Sequence, residues 1–325
     1  MNVLSLFDGM SCGRIALSKM NIVPTNYFAS EIDKNAIKCS KANWKDITHI
    51  GDVTKVSYRE GVLYTEFGEY EVDIDLLIGG SPCQSFSSAA AMKGYNTGLE
   101  GKSGLFYEYL RILNEVKEYN QNVVWLLENV KMKKDSKKAL DEYLGTEGVY
   151  IDSSLLSFQK RARYYWTNFK FTIPEDKGVS FQNYKESGDL SKYKLNPTAS
   201  RLRMWSNGSG GNSIGSCANV THVDKVYCLT TKQDRCPNSG LVEYEGFCRY
   251  LTQTELEHAQ TVPIGYTSCL SYNQACAVLG NGWTVDVIVH ILKHMFVEGA
   301  FVTTNTVLPA QGTSVTDKIV VTAST

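Results

Sequence analysis

The chain has 325 residues, of which 43% are hydrophobic and 21% are charged, and its formal net charge is −1. Its length suits one large domain or two smaller ones, and the near-neutral charge argues against a histone-like nucleic-acid binder. Charge is nevertheless uneven, because residues 155–210 hold ten Lys/Arg against four Asp/Glu, which favours either contact with phosphates or a solvated basic face.

The first 170 residues alternate short, β-rich apolar runs with helical patterns. The pattern predicts strands at 2–7, 26–32, 47–53, 74–80, 123–130, 151–158 and 163–170. Helical patterns fall between them at 13–20, 34–44, 103–119 and 135–144. This alternation predicts an α/β fold with a doubly wound, mostly parallel, Rossmann-like sheet, in which ligands bind at the carboxyl ends of the strands.

The composition changes from about residue 172. Helical periodicity disappears, residues 206–216 have the composition of a flexible loop, and residues 225–238 predict a strand that leads into a turn. Helical patterns return at 252–260 and 284–296. The sequence therefore predicts three parts: a larger domain of residues 1–171 plus 246–298, a smaller, loop-rich, β-containing domain at 172–245, and a threonine-rich tail of unknown role at 299–325.

Cysteine usage and hydropathy bear on the compartment. Nine cysteines, an odd number without a CxxC pair, argue against a disulfide framework and indicate reduced thiols. No basic stretch precedes the apolar start, and the long uncharged run 262–285 contains amides that are costly in lipid, so we expect neither a signal peptide nor a membrane span. We also expect no metal, because the only conceivable zinc ligands have spacings that match no common module: Cys217, His222, Cys228, Cys236 and Cys248.

Acidic residues follow three consecutive predicted strands. The stretch "LFDGMSCG", with Asp8, turns the first strand into the first helix, and by itself it is a weak nucleotide motif. Glu31 ends the second strand, where an acid takes the ribose hydroxyls of an adenosine ligand, and Asp52 ends the third, where it can accept from an adenine amine. Each acid alone could be a cap or a turn residue, but three in register favour an adenosyl ligand.

Cys83 follows Pro82 where the fourth strand opens into a loop, and "GGSPCQSFS" alone allows either a quiet turn thiol or a nucleophile. Since roughly a few per cent of a free thiol is ionised at neutral pH, attack requires partners. Glu128 ends the neighbouring strand and suits proton sharing with a substrate better than activation of a thiol. Arg161 and Arg163 lie two residues apart, on one side of an extended strand, and can hold a phosphate, steady a carboxylate or favour a thiolate.

From residue 1 to about residue 296, the succession of motifs resembles that of DNA cytosine-5 methyltransferases. The motifs are "LFDG", "SEID", "GDV", "GGSPCQSFS", "GLFYEYLRIL", "ENV", "QKRAR", "LTQTE" with "QTVP", and "LGNGWTVDVI". Proline-cysteine, ENV and QxRxR are specific as an ordered set, although each alone is weak. The "FDG" start and "RARYYWTN" are most similar to the de novo-type branch and its short bacterial and phage relatives.

The resemblance implies a specific reaction. A methyl group passes from S-adenosylmethionine to C5 of a cytosine flipped out of duplex DNA at a short sequence, and S-adenosylhomocysteine is the product. Cys83 would attack C6, Glu128 would hydrogen-bond N3 and the exocyclic amine, and Arg161 with Arg163 would position the base. The larger domain would then be the catalytic, cofactor-binding domain, and residues 172–245 the target recognition domain.

Further site residues follow from the resemblance. Those implied to contact the cofactor, with Phe7 stacked on adenine, are Phe7, Asp8, Gly9, Met10, Glu31, Ile32, Asp52, Val53, Pro82, Leu105, Asn281 and Trp283. Those implied to contact the substrate are Gln84, Ser85, Ser87, Asn129 and Gln159. The chain departs from the usual family pattern at Ser11-Cys12, at Gly282-Trp283 and at His258-Ala259. We expect none of these departures to touch the four predicted catalytic residues.

Three alternatives are considered beside this prediction. They are a tRNA cytosine-5 methyltransferase, a catalytically silent DNA-binding homologue and, from the fold alone, a dehydrogenase, whose glycine fingerprint is absent. Under the leading hypothesis we expect a cytoplasmic monomer in a bacterium or phage-infected host. It acts on duplex DNA without a membrane or a metal, either with a cognate restriction endonuclease or as a solitary enzyme.

Overall fold

The structure, a computed structural model, describes residues 1–82, 104–199, 201–202, 205, 219–234 and 238–297. Its strands are β1 (Asn2–Leu6), β2 (Asn26–Ser30), β3 (Ile47–Gly51), β4 (Ser57–Arg59), β5 (Val62–Thr65), β6 (Gly68–Glu71), β7 (Leu76–Gly80), β8 (Val124–Val130), β9 (Val149–Asp152), β10 (Ala162–Thr167), β11 (Val242–Tyr244) and β12 (Phe247–Arg249). The helices named here are α1 (Cys12–Lys19), α2 (Lys34–Asn43), α3 (Gly104–Tyr119), α4 (Lys134–Leu144), α5 (Gln253–Ala259), α6 (Tyr272–Asn281) and α7 (Val285–Val297).

A seven-stranded sheet forms the centre, in the order β3-β2-β1-β7-β8-β10-β9. The first five strands in this order pair in parallel, whereas β10 pairs antiparallel with both β8 and β9. The chain can return as β10 because Asp152 closes the turn after β9, accepting from the backbone N–H groups of Ser154 at 2.9 Å and Arg161 at 3.1 Å. The predicted α/β fold with a mostly parallel sheet is confirmed.

Helices cover both faces of this sheet. Along β1, Val3 belongs to the buried cluster under α1, α2 and the C-terminal helices, while Leu4 belongs to the cluster under α3 and α4. Trp125 and Leu126 of β8 divide between the same two clusters. Strands buried on both faces explain why these segments are nearly continuous apolar runs in the sequence.

The structure differs from the predicted elements in four places. A three-stranded antiparallel meander, β4-β5-β6, and helix α6 were not predicted. The strand predicted at 151–158 ends at Asp152, because the chain must turn there to enter β10. The strand predicted at 225–238 is wrong for the described part of that segment, where Val226 makes only a single bridge to Gln159.

The described residues of 172–245 pack partly on the larger core and partly on their own. Phe181, Val220 and Leu229 belong to the same buried cluster as the C-terminal helices. A small separate cluster holds Leu195, Leu241, Phe247 and Cys248 beside the β11–β12 hairpin. The division into a catalytic and a recognition domain stays a prediction.

Residues 272–296, which include α6 and α7, are long and apolar enough to cross a membrane by length and composition. Within this stretch, 72% of an apolar window of 18 residues is buried in the folded chain, which is also what a core helix shows. Where the structure describes the chain, no three His, Cys, Asp or Glu side chains come together as metal ligands. Cys217 and Cys236 lie outside the described residues.

A buried ion pair joins β12 to α5. Arg249 donates to both carboxylate oxygens of Glu255 at 2.8 Å, and both side chains are almost completely buried. Glu255 also accepts from the backbone N–H groups of Thr252 at 2.7 Å and Glu186 at 2.8 Å. The pair therefore fastens the hairpin and the 172–245 segment to the helix that leads back to the main sheet.

Replacing Arg249 with methionine should lower the free energy of unfolding by about 3–5 kcal/mol, because it leaves the Glu255 charge buried without its partner. Urea-induced unfolding of the purified chain measures this change. The matched control is Lys138→Met, which removes the partner of Glu142 in an exposed pair 3.8 Å apart and should cost less than about 1 kcal/mol. Equal losses for the two variants would contradict the assignment.

Candidate active site

Five parallel strands end at one edge of the sheet, and most of the predicted site residues follow these ends. The ends of β2 and β3 are adjacent, since Ser30 Oγ donates to the Gly51 carbonyl at 2.8 Å. Farther along the edge, Gly80 of β7 lies opposite Glu128 of β8. Glu31 and Asp52, predicted for the cofactor, and Glu128, predicted for catalysis, therefore lie along one edge, on either side of β1.

The loop after β1 is built around the buried carboxylate of Asp8. Its Oδ1 accepts from Ser5 Oγ at 2.6 Å and Tyr27 Oη at 2.8 Å, and its Oδ2 accepts from Ser11 Oγ at 2.5 Å. Two non-glycine residues of the loop are left-handed, Phe7 at φ 57° and Ser11 at φ 67°. Such a backbone conformation persists only where the surroundings fix it. In this structure the hydrogen bonds of Asp8 therefore hold the conformation of the loop.

Glu31 ties this loop to the end of β2. Its Oε2 accepts from the backbone N–H of Gly9 at 2.7 Å, and its Oε1 accepts from those of Ile32 and Asp33 at 2.8 Å. The neighbouring Ile32 side chain is 70% exposed. The fixed carboxylate of Glu31 thus lies beside the exposed apolar side chain of Ile32.

Asp52 begins a short 3-10 helix after β3, and its Oδ1 accepts from the backbone N–H of Thr54 at 2.9 Å. Its own N–H donates to Glu66 Oε2 at 3.3 Å. Glu66 and Phe67 come from the β5–β6 turn and lie so close over Gly51 that a Cβ there would be 2.5 Å from Glu66 Oε2. Sequence reasoning missed these neighbours, although the alternation in "VLYTEFGEYEV" and its central glycine were typical of a hairpin.

Glu128 has a donor on each carboxylate oxygen. Arg163 Nε lies 2.8 Å from its Oε1, and Trp283 Nε1 donates to its Oε2 at 3.0 Å. The expectation that no departure from the family pattern touches a predicted catalytic residue is therefore wrong for Trp283, because the connection after α6 brings its indole to Glu128. Arg163 can reach Glu128 because Tyr165 of β10 pairs with Glu128, and residues two apart on a strand share a face. Burial lowers the pKa of Arg163, but Glu128 first and then Cys228 outweigh it, and the net pKa lies above the ordinary value.

Arg161 has a different environment from Arg163. Its side chain is buried, and its Nη2 donates to the carbonyls of Gly280 at 3.1 Å and Gly282 at 2.8 Å. Its Nη1 donates to the Leu229 carbonyl at 3.2 Å and to Cys228 Sγ at 3.4 Å. Arg161 is thus bonded to the connection between α6 and α7, and not to Glu128.

Two residues predicted to contact substrate are buried within the protein. Gln159 is completely buried and donates to the Ala259 carbonyl at 2.7 Å and to Gln260 Oε1 at 2.8 Å. Asn129 Nδ2 donates to the carbonyl of Ser81 at 3.2 Å and to its hydroxyl at 3.0 Å, which fixes the end of β7. In this structure both side chains therefore make hydrogen bonds within the protein.

The other predicted residues divide by exposure. Met10 and Val53 are buried, Trp283 is nearly so, and Phe7 and Leu105 are partly buried against the core. Pro82 and Asn281 are exposed. Outside the described residues lie Cys83, Gln84, Ser85 and Ser87.

A family model described as C-5 cytosine-specific DNA methylase matches residues 1–297. The chain belongs to this family. The predicted resemblance and the predicted enzyme class are therefore confirmed.

Curated relatives of this DNA methylase include bacterial and phage enzymes. The chain is 26% identical to the type II methyltransferase M1.ScrFI of Lactococcus lactis subsp. cremoris over 90% of its length and 77% of that protein. It is 26% identical to the type II methyltransferase M.SsoII of Shigella sonnei, over 88% of its length and 77% of that protein. It is 35% identical to the orphan methyltransferase M.Rho11sI of Bacillus phage rho11s, over 48% of its length and 29% of that protein.

Solved structures share the fold of this methylase. The Dnmt2 methyltransferase of S. pombe has a TM-score of 0.67 at 17% identity and covers 93% of the chain, and all of that protein is matched. The methyltransferase EhMeth of Entamoeba histolytica has a TM-score of 0.69 at 15% identity, with 92% of this chain and 98% of that chain covered. At such identities the likeness shows the fold alone.

The family implies S-adenosylmethionine as the methyl donor, and the residues of this methylase fit it. Glu31 and Asp52 place acceptors at adjacent strand ends, and the exposed Ile32 offers an apolar surface. The cationic sulfonium suits an edge that also carries Asp8 and Glu128, since opposite charges attract most where water is excluded.

The carboxyl of Asp8 should make the stability of the methylase depend on pH, because burial raises its pKa to about 6. From about pH 4 to about pH 6 the folded protein keeps a proton that the unfolded chain releases, so its free energy of unfolding falls as pH rises. Relative to the Asp8→Asn variant, the free energy of unfolding should fall by at most about 3 kcal/mol over this range, because one pKa unit corresponds to about 1.4 kcal/mol. Denaturant unfolding of both proteins across this range tests it, and a constant difference between them would contradict it.

Proposed function

We propose that the protein methylates C5 of a cytosine flipped out of duplex DNA, through a covalent bond between Cys83 and C6. The observation that carries the proposal is the carboxylate of Glu128, which has a donor on each oxygen. Glu128 pairs with Gly80, and Gly80 precedes Cys83 by three residues. An acceptor that is fixed on two sides and nearly buried is suited to bind the Watson–Crick edge of a base that has left the duplex.

The chemistry begins with the thiolate of Cys83, whose electron pair forms a bond to C6. The C5–C6 double bond opens and C5 becomes a nucleophile, while Glu128 accepts from the exocyclic amine and, in its protonated form, donates to N3. S-adenosylmethionine supplies the methyl group, which C5 takes as S-adenosylhomocysteine leaves. A water molecule then takes the C5 proton, which restores the double bond and expels the Cys83 thiolate.

The surrounding residues take supporting roles in this proposal. Arg163 steadies Glu128, and the Asn129–Ser81 contacts hold the strand end that leads to Pro82 and Cys83. The loop residues Gln84, Ser85 and Ser87 contact DNA. Residues 172–245 recognise the target sequence, and the basic side chains of residues 155–210, which partly overlap them, contact phosphates.

The biological setting follows from the named relatives. They are bacterial and phage proteins, some called type II and some called orphan methyltransferases, which supports a cytoplasmic enzyme that protects DNA. Bisulfite sequencing of DNA from cells that express the chain identifies the methylated site. An assay of extracts of the native host for an endonuclease that cuts the unmethylated site then distinguishes a paired from a solitary role.

Replacing Cys83 with serine should reduce methyl transfer by more than about a thousandfold, because the hydroxyl does not supply the nucleophile. Binding of S-adenosylhomocysteine should be nearly unchanged. Radiolabelled methyl transfer to duplex DNA and to tRNA, side by side, measures the loss and decides between the two substrates. Cys269→Ser is the matched control and should keep its activity within about threefold of the parent chain.

Duplex DNA that carries 5-fluorocytosine should trap the parent chain and not Cys83→Ser, because the fluorine at C5 blocks the elimination that releases the thiolate. A covalent complex with Cys83→Ser, or full activity of that variant, would sink the covalent mechanism. A failure of the parent chain to form any complex would favour a catalytically silent homologue.

Replacing Glu31 with glutamine should weaken binding of S-adenosylhomocysteine about tenfold or more, since a hydrogen bond to a charged acceptor contributes about 1.5–3 kcal/mol. Titration calorimetry on the full chain measures the dissociation constant without any turnover. The control is Glu142→Gln, which changes an exposed carboxylate on α4. An unchanged dissociation constant for Glu31→Gln would remove Glu31 from the cofactor site.

A further inference from the structure

The indole of Trp283 is the second donor to the Glu128 carboxylate, and it comes from a remote part of the chain. Trp283 lies on the short connection between α6 and α7, and its Nε1 reaches Glu128 Oε2 at 3.0 Å. Arg163 Nε lies 2.8 Å from the other oxygen. A carboxylate with one donor can still rotate about its last bond, whereas donors on both oxygens fix its plane and leave further lone pairs for a ligand.

The strand beside Glu128 leaves room for this contact. A Cβ at Gly80 would lie 2.7 Å from Trp283 Nε1 and 2.9 Å from Glu128 Oε2, closer than real Cβ atoms come to such neighbours. Gly80 does not have a left-handed backbone. The glycine is therefore explained by the space that the indole–carboxylate bond occupies, and not by its conformation.

The connection that carries Trp283 is itself held in place. The Gly282 carbonyl accepts from Arg161 Nη2 at 2.8 Å and from Gln260 Nε2 at 3.1 Å. On the other side, Thr284 Oγ1 donates to Gln260 Oε1 at 2.9 Å. Both neighbours of Trp283 are thus fixed by buried polar side chains, so the indole approaches Glu128 from a defined direction.

We propose that Trp283 is a positioning residue of the reaction, which acts by orienting the Glu128 carboxylate toward the base. This inference rests on the proposed function for the role of Glu128. It goes beyond that function because it gives Trp283 a task in catalysis and makes Arg161 an indirect support, through Gly282 and Trp283.

The hydrogen bond can be tested without turnover or cofactor, by the indole N–H signals of the ¹⁵N-labelled full chain. The Trp283 signal is the one that Trp283→Phe removes. Glu128→Gln should shift this signal upfield, because an amide accepts more weakly than a carboxylate. Trp166 is the internal reference, since its Nε1 donates to Asp141 Oδ1 at 2.7 Å, and its signal should move with Asp141→Asn and not with Glu128→Gln. A Trp283 signal that Glu128→Gln leaves unmoved overturns the proposal.

Kinetics test the role in the reaction. Trp283→Phe should lower kcat about tenfold and change KM for S-adenosylmethionine by less than about threefold, as expected when a single hydrogen bond to a charged group is lost. Gly80→Ala should give the same pattern, because the added methyl group displaces the indole from the carboxylate. A raised KM with unchanged kcat would instead make Trp283 a cofactor contact alone and contradict positioning.

A double-mutant cycle separates an effect through Glu128 from a general loss of structure. In the Glu128→Gln background, adding Trp283→Phe should lower kcat by less than about twofold, since the partner is already altered. Equal losses in both backgrounds contradict the proposal. If the parent chain methylates no cytosine at all, the proposed function fails, and the indole signals still decide whether Trp283 holds Glu128.

Discussion

A carboxylate that is closed off from water requires partners, and Glu128 is the carboxylate around which this site is organised. Only 8% of it is exposed, and among the residues that the structure describes each oxygen takes one donor. Because the donors come from β10 and from the α6–α7 connection, Glu128 is held only when the antiparallel strand and the C-terminal helices are both in place. The geometry of the site is therefore a property of the complete sheet with its covering helices, and no single motif can supply it.

The same need for partners explains the polar layer between β10 and the C-terminal helices. The last carbonyls of a helix lack partners within the helix, and they lie at the negative end of its dipole. Arg161 donates to two carbonyls at the end of α6, those of Gly280 and Gly282, so a buried guanidinium and a buried helix end satisfy each other. Gln159 and Gln260 extend the network to α5. Buried polar groups are costly unless each one is paired. Moving the connection that carries Trp283 would break these pairs, so the network holds it in place.

Much of the fold could be predicted from the sequence, because strands buried on both faces leave long apolar runs and the acids at their ends mark one edge of the sheet. The meander β4-β5-β6 could not, since strands of three or four residues carry too little pattern. Helix α6 was also missed, although its first turn has a capping box between Ser271 and Gln274. The strand predicted around Val226 fails because that backbone meets its neighbour at a single bridge.

The site shows where local patterns stop being informative. Arg161 and Arg163 were predicted on one side of a strand, but β10 begins only at Ala162, so the alternation does not extend back to Arg161. Arg163 reaches Glu128, while Arg161 turns toward a helix end. The groups proposed to touch the base stand in short motifs, since chemistry requires particular residue types at particular strand ends. The groups that orient them, such as Trp283, are set by the packing of elements far apart in the sequence, and only the folded chain reveals them.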